Sequence, residues 1–184
     1  LVRLSLYGND IGDEGVDALM GALTNSVLSV LDLSYNRNIT SRGCLSLTSL
    51  LKHPNSNLEE LDLNGDNVRD EGALIFANAL ATNRKLKLLG LYKNGITTEG
   101  WSSFSKVLCD TSSVNNTFLS NHKLENLNEY ASIGELPADV QSSLALNRRS
   151  EDKKVVAIKK ILKHHQHFDM QPFFEWDLKV LPIA

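Results

Sequence analysis

Residues Leu89–Gly100 read LGLYKNGITTEG, and Leu4–Gly15 read LSLYGNDIGDEG. Between them stand LDLSYNRNITSRG, Leu31–Gly43, and LDLNGDNVRDEG, Leu61–Gly72. One chain states nearly the same phrase four times. Aligned on Gly15, Gly43, Gly72 and Gly100, the copies lie 28, 29 and 28 residues apart. A fixed period of that length marks an architecture of stacked repeats.

Each copy opens with Leu-x-x-Leu-x-Leu: Leu1, Leu4, Leu6; Leu28, Leu31, Leu33; Leu58, Leu61, Leu63; Leu86, Leu89, Leu91. The alternation in Leu-x-Leu is that of a short strand with one buried face. Three residues later comes Asn9, Asn36, Asp66 or Asn94, and then an aliphatic residue directed inward: Ile11, Ile39, Val68, Ile96. Two residues before each glycine stand Asp13, Ser41, Asp70 and Thr98, side chains that accept from free amides at a helix N-terminus. After the glycine the apolar period becomes helical. The helix-face sets are Val16, Leu19, Leu23; Cys44, Leu47, Leu51; Ala73, Phe76, Leu80; and Trp101, Phe104, Leu108. Neither strand nor helix can bury its apolar face alone, so stacked units share one continuous core.

The pattern Leu-x-x-Leu-x-Leu-x-x-Asn-x-Ile, followed by Gly-x-x-x-Leu-x-x-x-Leu, resembles the leucine-rich repeats of the ribonuclease-inhibitor type. That resemblance implies an α/β solenoid, a horseshoe with parallel strands on the concave face and helices on the convex face. It also implies a ladder of Asn side chains satisfying backbone groups in the turns, matched by Asn9, Asn36 and Asn94. Asp66 departs from it, because a carboxylate cannot donate as an amide does; either Asn67 substitutes or that turn is looser. Arg37 and Asn38 lengthen the second turn by one residue.

A degraded fifth unit is expected over Ser113 to about Asn128, with Phe118 as a strand residue in place of Leu, Asn116 replacing the preceding Leu, and Asn121 as its ladder rung. From Tyr130 the period is lost. Pro137 suits a first helical turn before Val140, Leu144 and Leu146. Ser150 suits the cap of a second helix with an apolar stripe of Val155, Ile158, Ile161 and Leu162. Pro172 signals a third helix, running through Phe173 to Leu181. The organisation expected is therefore repeats over 1–128 and a helical C-terminal cap over 129–184, covering the apolar end of the solenoid.

The chain has 184 residues, 42% hydrophobic and 22% charged, with a net charge of −3. That composition supplies a sizeable core. The mild negative charge argues against nucleic acid, since phosphate binding needs clustered Lys and Arg. Two cysteines, Cys44 and Cys109, fit a reducing compartment rather than a disulfide scaffold. No apolar run is long enough for a membrane span. The chain begins inside a repeat without an initiator Met and reads as a fragment. The expected location is the cytoplasm, with the nucleus second.

Catalytic patterns are missing. The repeat glycines stand singly and form no phosphate loop, and no nucleophile elbow or zinc-ligand spacing occurs. His164, His165 and His167 cluster in sequence, but consecutive helical residues point about 100° apart, which disfavours a convergent metal site. No cofactor and no enzymatic activity are expected.

Function is therefore sought in the residues that vary between copies. Residues alternating with the strand leucines face the concave surface: Arg3, Ser5, Tyr7; Val30, Asp32, Ser34; Glu60, Asp62, Asn64; Leu88, Gly90, Tyr92; and, in the fifth unit, Asn115, Thr117, Leu119. Asp32, Glu60 and Asp62 make an acidic centre that Tyr7 and Tyr92 flank. Tyrosines around charge suit protein recognition. The leading expectation is a protein-interaction module whose partner presents Lys or Arg. Two alternatives rest on the resemblance. One group of this repeat family stimulates a nuclear-transport GTPase through turns past the strands, where this chain carries Arg37, Arg69 and Lys93. Other members are sensor arms of larger receptors or ubiquitin ligases.

Overall fold

The computed structural model describes residues 2–23, 26–127 and 136–167. Strands β1 (Arg3–Ser5), β2 (Val30–Asp32), β3 (Glu60–Asp62) and β4 (Leu88–Gly90) alternate with helices α1 (Asp13–Leu23), α2 (Ser41–Lys52), α3 (Arg69–Leu80) and α4 (Thr98–Leu108). The strands form one parallel sheet in the order β1-β2-β3-β4, with Leu4, Leu31, Leu61 and Leu89 in register. Helices α1 to α4 pack side by side in the same order. This is the leucine-rich repeat solenoid that the resemblance implied, with a helical C-terminal region. The core lies between the two layers. Leu31, Leu61 and Leu89 from the strands and Val16, Cys44, Ala73, Phe76 and Phe104 from the helices are fully buried.

Two turn features recur because the backbone demands them. Position by position, Gly8, Tyr35, Gly65 and Lys93 follow the strand's last outward residue, and all four have φ between 56° and 77°. Only Gly adopts that region without cost, so Tyr35 and Lys93 hold a disfavoured conformation fixed by their neighbours. The residue two places before the repeat glycine, read from sequence as the helix cap, has a different role. The caps are Thr40 for α2 and Thr97 for α4, whose hydroxyls accept from the Arg42 and Glu99 amides. Asp13 instead reaches the next repeat, accepting from Thr40 N at 2.8 Å, Thr40 Oγ1 at 2.6 Å and Gly43 N at 2.9 Å. Asp70 does the same for Thr97 N and Oγ1, both at 2.7 Å. Each carboxylate ties one helix start to the next.

At Gly43 and Gly100 the glycine makes room for that carboxylate, and at all four repeat glycines a Cβ would crowd the aliphatic residue four places earlier. A Cβ on Gly43 would stand 2.6 Å from Asp13 Oδ1 and 3.2 Å from the Ile39 methyl. Gly43→Ala is expected to destabilise the protein by about 1–3 kcal/mol through overpacking. Urea unfolding of that variant, with the Asp13→Ala/Gly43→Ala pair as partner, checks it. The pair should recover part of the loss if the carboxylate is the obstacle.

The end of the solenoid differs from expectation. Residues Val114–Leu119 form a short helix, α5, capped by Ser113, not a strand. Thr117 is fully buried, while Phe118 and Leu119 are exposed. Asn115, Thr117 and Leu119 are therefore not a fifth concave triplet. The fifth edge lies later, where Leu89 and Leu91 donate to Asn126 O at 3.0 Å and Leu127 O at 3.2 Å. Asn121 is not a ladder rung either. Its Oδ1 accepts from the Lys123 and Leu124 amides, just as Asn83 Oδ1 accepts from Lys85 and Leu86. Leu124 and Leu127 thus correspond to Leu86 and Leu89. The inserted α5 lengthens this unit, and an alignment at the earlier period misplaces it.

Beyond it, α6 (Ala138–Arg148) and α7 (Lys153–His164) close the end of the stack. Helix α6 packs on α4 and adds Val140 and Leu144 to the core. Asn147 donates to the carbonyls of Asn121 and Leu124 at 3.2 and 2.6 Å. Helix α7 is capped by Asp152 rather than Ser150, the Asp152 carboxylate accepting from Lys154 N at 2.9 Å. Its buried face is Val156, Ala157, Lys160 and Ile161, whereas Leu162 is exposed. Lys160 is fully enclosed, and its Nζ donates at 2.6 Å to the carbonyl of Leu108 at the end of α4. Burial pushes its pKa down to about 8. The third helix expected over Phe173 to Leu181 lies outside the described residues.

Candidate interaction surface

The strand face carries the variable residues. Asp32 on β2 and Asp62 on β3 are Cα partners in the sheet, with Glu60 on the same strand as Asp62. The three acidic residues are brought together, and each is already engaged. Asp32 accepts from Ser5 Oγ at 2.7 Å across the β1–β2 pair and from Ser34 N at 3.0 Å. Asp62 Oδ1 accepts from Asn64 N at 2.9 Å. Its carboxylate lies over Gly90, where a Cβ would meet it at 2.5 Å, so Gly90 makes the room that Asp62 occupies. Glu60 pairs with Arg3 at 3.8 Å in an exposed contact reaching across β2. Such a pair contributes under about 1 kcal/mol and is easily exchanged for another cation.

The tyrosines flank the acidic centre from the two outer strands. Tyr7 follows β1 and Tyr92 follows β4, at opposite ends of the sheet, about three strand spacings or roughly 14 Å apart. They bracket the acidic centre without touching. Tyr7, 57% exposed, stacks instead on Tyr35, with ring centroids 5.1 Å apart and planes tilted by 45°. At the other end the Lys93 ammonium stands 5.1 Å above the Tyr92 ring. Sequence reasoning missed Tyr35 because it falls one place past the outward triplet. The clue was its correspondence with Gly8 and Gly65, the left-handed turn position that lifts its ring onto the strand face.

The adjoining turns form a cleft of about 390 Å³ lined by Tyr35, Arg37, Gly65, Asp66, Asn67 and Lys93. The Tyr35 ring lies against Gly65, where a Cβ would meet it at 3.0 Å. Arg69 lies beside it, its Nε donating to Asn67 Oδ1 at 2.8 Å. An acidic strand face thus meets a turn edge carrying Arg37, Arg69 and Lys93.

Other candidates resolve into structural roles. Cys44 is buried, and desolvation, then the negative charge of Asp13 and Asp66, pushes its thiol pKa far up. Cys109 is half-buried and also raised by burial, although Lys160 and Lys163 oppose the shift. A raised pKa leaves little thiolate, so neither is an activated nucleophile. His165 Nε2 pairs with Thr117 Oγ1 at 2.9 Å, while His164 and His167 point to solvent. Among the described residues no group of three or more His, Cys, Asp or Glu could hold a metal ion, and no helix is long and apolar enough to cross a membrane.

Comparison with known proteins agrees with this geometry. A family model described as leucine-rich repeat matches residues 1–20, 24–47 and 55–77. NACHT, LRR and PYD domains-containing protein 13 of Homo sapiens is 35% identical over 127 residues, covering 68% of this chain and 12% of that protein. Ribonuclease inhibitor of Sus scrofa is 30% identical over 123 residues, 66% of this chain and 27% of the inhibitor. RAN GTPase-activating protein 2 of Arabidopsis thaliana is 27% identical over 105 residues, 56% of this chain and 19% of that protein. The chain therefore spans well under a third of each of these relatives. Among solved structures, the leiomodin-1 actin-binding site 2 superposes with a TM-score of 0.67 at 19% identity, covering 91% of this chain and 89% of that one. At that identity the likeness is one of fold.

Proposed function

The repeats of this chain are leucine-rich repeats of the ribonuclease-inhibitor-like type, and from that premise we propose a non-enzymatic module that binds a basic protein partner through its concave strand face. The observation that carries the reading is the acidic centre of Asp32, Glu60 and Asp62, bracketed by the Tyr7–Tyr35 pair and by Tyr92. The repeated residues are core, cap and ladder. The residues free to encode a partner are the ones that change from unit to unit, and they gather here. Among the relatives, one is named for inhibiting a ribonuclease, which is itself a protein. The proposed site of action is the cytoplasm.

Partner Lys or Arg side chains would displace Arg3 from Glu60 and pair with Asp32 and Asp62. Complementary charge acts mainly on the association rate and on partner choice, so binding weakens with salt. The tyrosines supply the larger share of affinity, as aromatic anchors commonly do. The GTPase-activating alternative would place its chemistry on the turn edge, but there Arg69 is bound to Asn67 and Lys93 is seated over Tyr92.

The test is capture of a partner from native lysate by the wild-type chain and by the Asp32→Lys/Asp62→Lys variant. The expected result is loss of capture with an unchanged circular dichroism spectrum. Capture of the same partner with the same salt dependence would move attention to the convex helices.

A further inference from the structure

The Asn ladder in the turns contains one rung that is not an amide. Asn36 Nδ2 donates to Leu6 O at 3.0 Å and Leu33 O at 2.6 Å, and its Oδ1 accepts from the Asn9 and Ile11 amides at 3.0 and 2.8 Å. Asn94 repeats the pattern, donating to Leu63 O at 2.7 Å and accepting from Val68 N at 3.1 Å. Each rung therefore presents one acceptor to amides of the preceding turn and one donor to the carbonyl that ends the preceding strand segment. Between them stands Asp66. Asn67 does not stand in for it, since its own amide oxygen is taken by Arg69. Asp66 is only 7% exposed. Its Oδ1 fills the acceptor half of the pattern, receiving the Asn36 amide at 2.5 Å. Its Oδ2 is enclosed and has no hydrogen-bond partner.

An ionised carboxylate has no donor for the other half of the pattern, and a buried unpaired charge is far costlier than a buried neutral acid. We propose that Asp66 is a proton-binding site, held as a carboxylic acid whose O–H takes the place of the ladder amide and whose ionisation weakens the third turn and the strand face beside it.

The surroundings favour the proton. From β2 and β3, Asp32 and Asp62 present negative charge to it, while the Cys44 thiol nearby on α2 is neutral and neither favours nor opposes the proton. The cations that share its cleft, Arg37 and Lys93, are both exposed to solvent, where screening weakens them. Burial first, and then the charge of Asp62 and Asp32 against the opposing Asn36 amide, raises the Asp66 pKa to about 8. The folded state then holds a proton that the unfolded chain releases near the ordinary carboxylate range. Stability from this group is fully present at low pH and is lost as pH rises toward about 8. Above that value the slope vanishes. The loss approaches tenfold in the folding constant per pH unit inside the window, which is about 1.4 kcal/mol.

Asp66→Asn restores the amide in the same shape and cannot titrate. Urea unfolding of the full chain and of this variant should be followed from pH 5 to pH 9. The expected result is a variant whose advantage over wild type grows with pH and levels off near the top of the range. A difference that is constant with pH, or a variant losing stability as pH rises as steeply as wild type, would overturn the proposal. Infrared difference spectra supply a readout independent of stability. Folded wild type at pH 6 should carry a protonated-carboxyl C=O band that weakens by pH 9 and is missing from Asp66→Asn. Wild type without that band at pH 6 would also overturn it.

Discussion

Phe76→Ala is expected to lower the unfolding free energy by about 3–5 kcal/mol. That is a large fraction of the roughly 5–15 kcal/mol that holds a domain of this size. Phe76 is fully buried on the inner face of α3, the middle layer of the stack. Helices α2 and α4 pack on the two sides of α3, so the cavity cannot collapse onto solvent from either side. Leu61, at 0% exposure on the middle strand β3, should behave similarly, with Leu61→Ala costing about 2–5 kcal/mol. The control is Leu74→Ala on the same helix. Leu74 is 50% exposed and should change stability by no more than about 0.5 kcal/mol. Urea denaturation at fixed pH separates the cases, since only the buried sites should shift the midpoint strongly. Equal losses at Phe76 and Leu74 would contradict the inward direction of α3.

The same distinction explains how much of this protein was legible in its sequence. The alternation of Leu61 and Leu63 and the helical spacing of Ala73, Phe76 and Leu80 are one-dimensional signals of burial, and they placed four units and the core. For α2 and α4 the cap residues were off by one, because Thr40 and Ser41, like Thr97 and Thr98, are both good caps. At α2 the choice depends on Asp13, 27 residues earlier in sequence, which accepts from Thr40. The fifth unit failed for a different reason: α5 lengthens the loop, and a period carries no information about an insertion. On the strand face, the register of Asp32 against Asp62 could be read from the repeat. The stacking of Tyr35 on Tyr7 was harder to read, because its only trace in the sequence is the alignment of Tyr35 with Gly8 and Gly65 at a left-handed turn position. Lys160 was equally hidden. A lysine inside an apolar helical face reads as a solvated side chain, and only the free carbonyl of Leu108 gives it a buried partner.

Removing everything after Asn128 should produce the second large effect, a loss of at least roughly 5 kcal/mol with new apolar surface exposed. Helices α6 and α7 bury Val140, Leu144, Val156, Ala157 and Ile161. Enclosing each of the larger ones contributes about 1.5–3 kcal/mol. The polar contacts point the same way. Without Asn147 the carbonyls of Asn121 and Leu124 lose their donor, and without Lys160 so does that of Leu108. Lys153 also ties the cap to the last repeat through Glu125 at 2.9 Å. Solvent would then reach the layer of Trp101, Phe104, Leu108 and Leu127, an apolar surface of the kind that drives association. The shortened chain should therefore melt at a clearly lower temperature and bind an apolar dye that the full chain does not. Leu144→Ala should fall between the two, since it hollows the α6 contact without removing the helix. An unchanged melting temperature and no dye binding in the shortened chain would mean that the α6–α7 pair contributes little to the solenoid, contrary to the buried contacts of Val140 and Leu144.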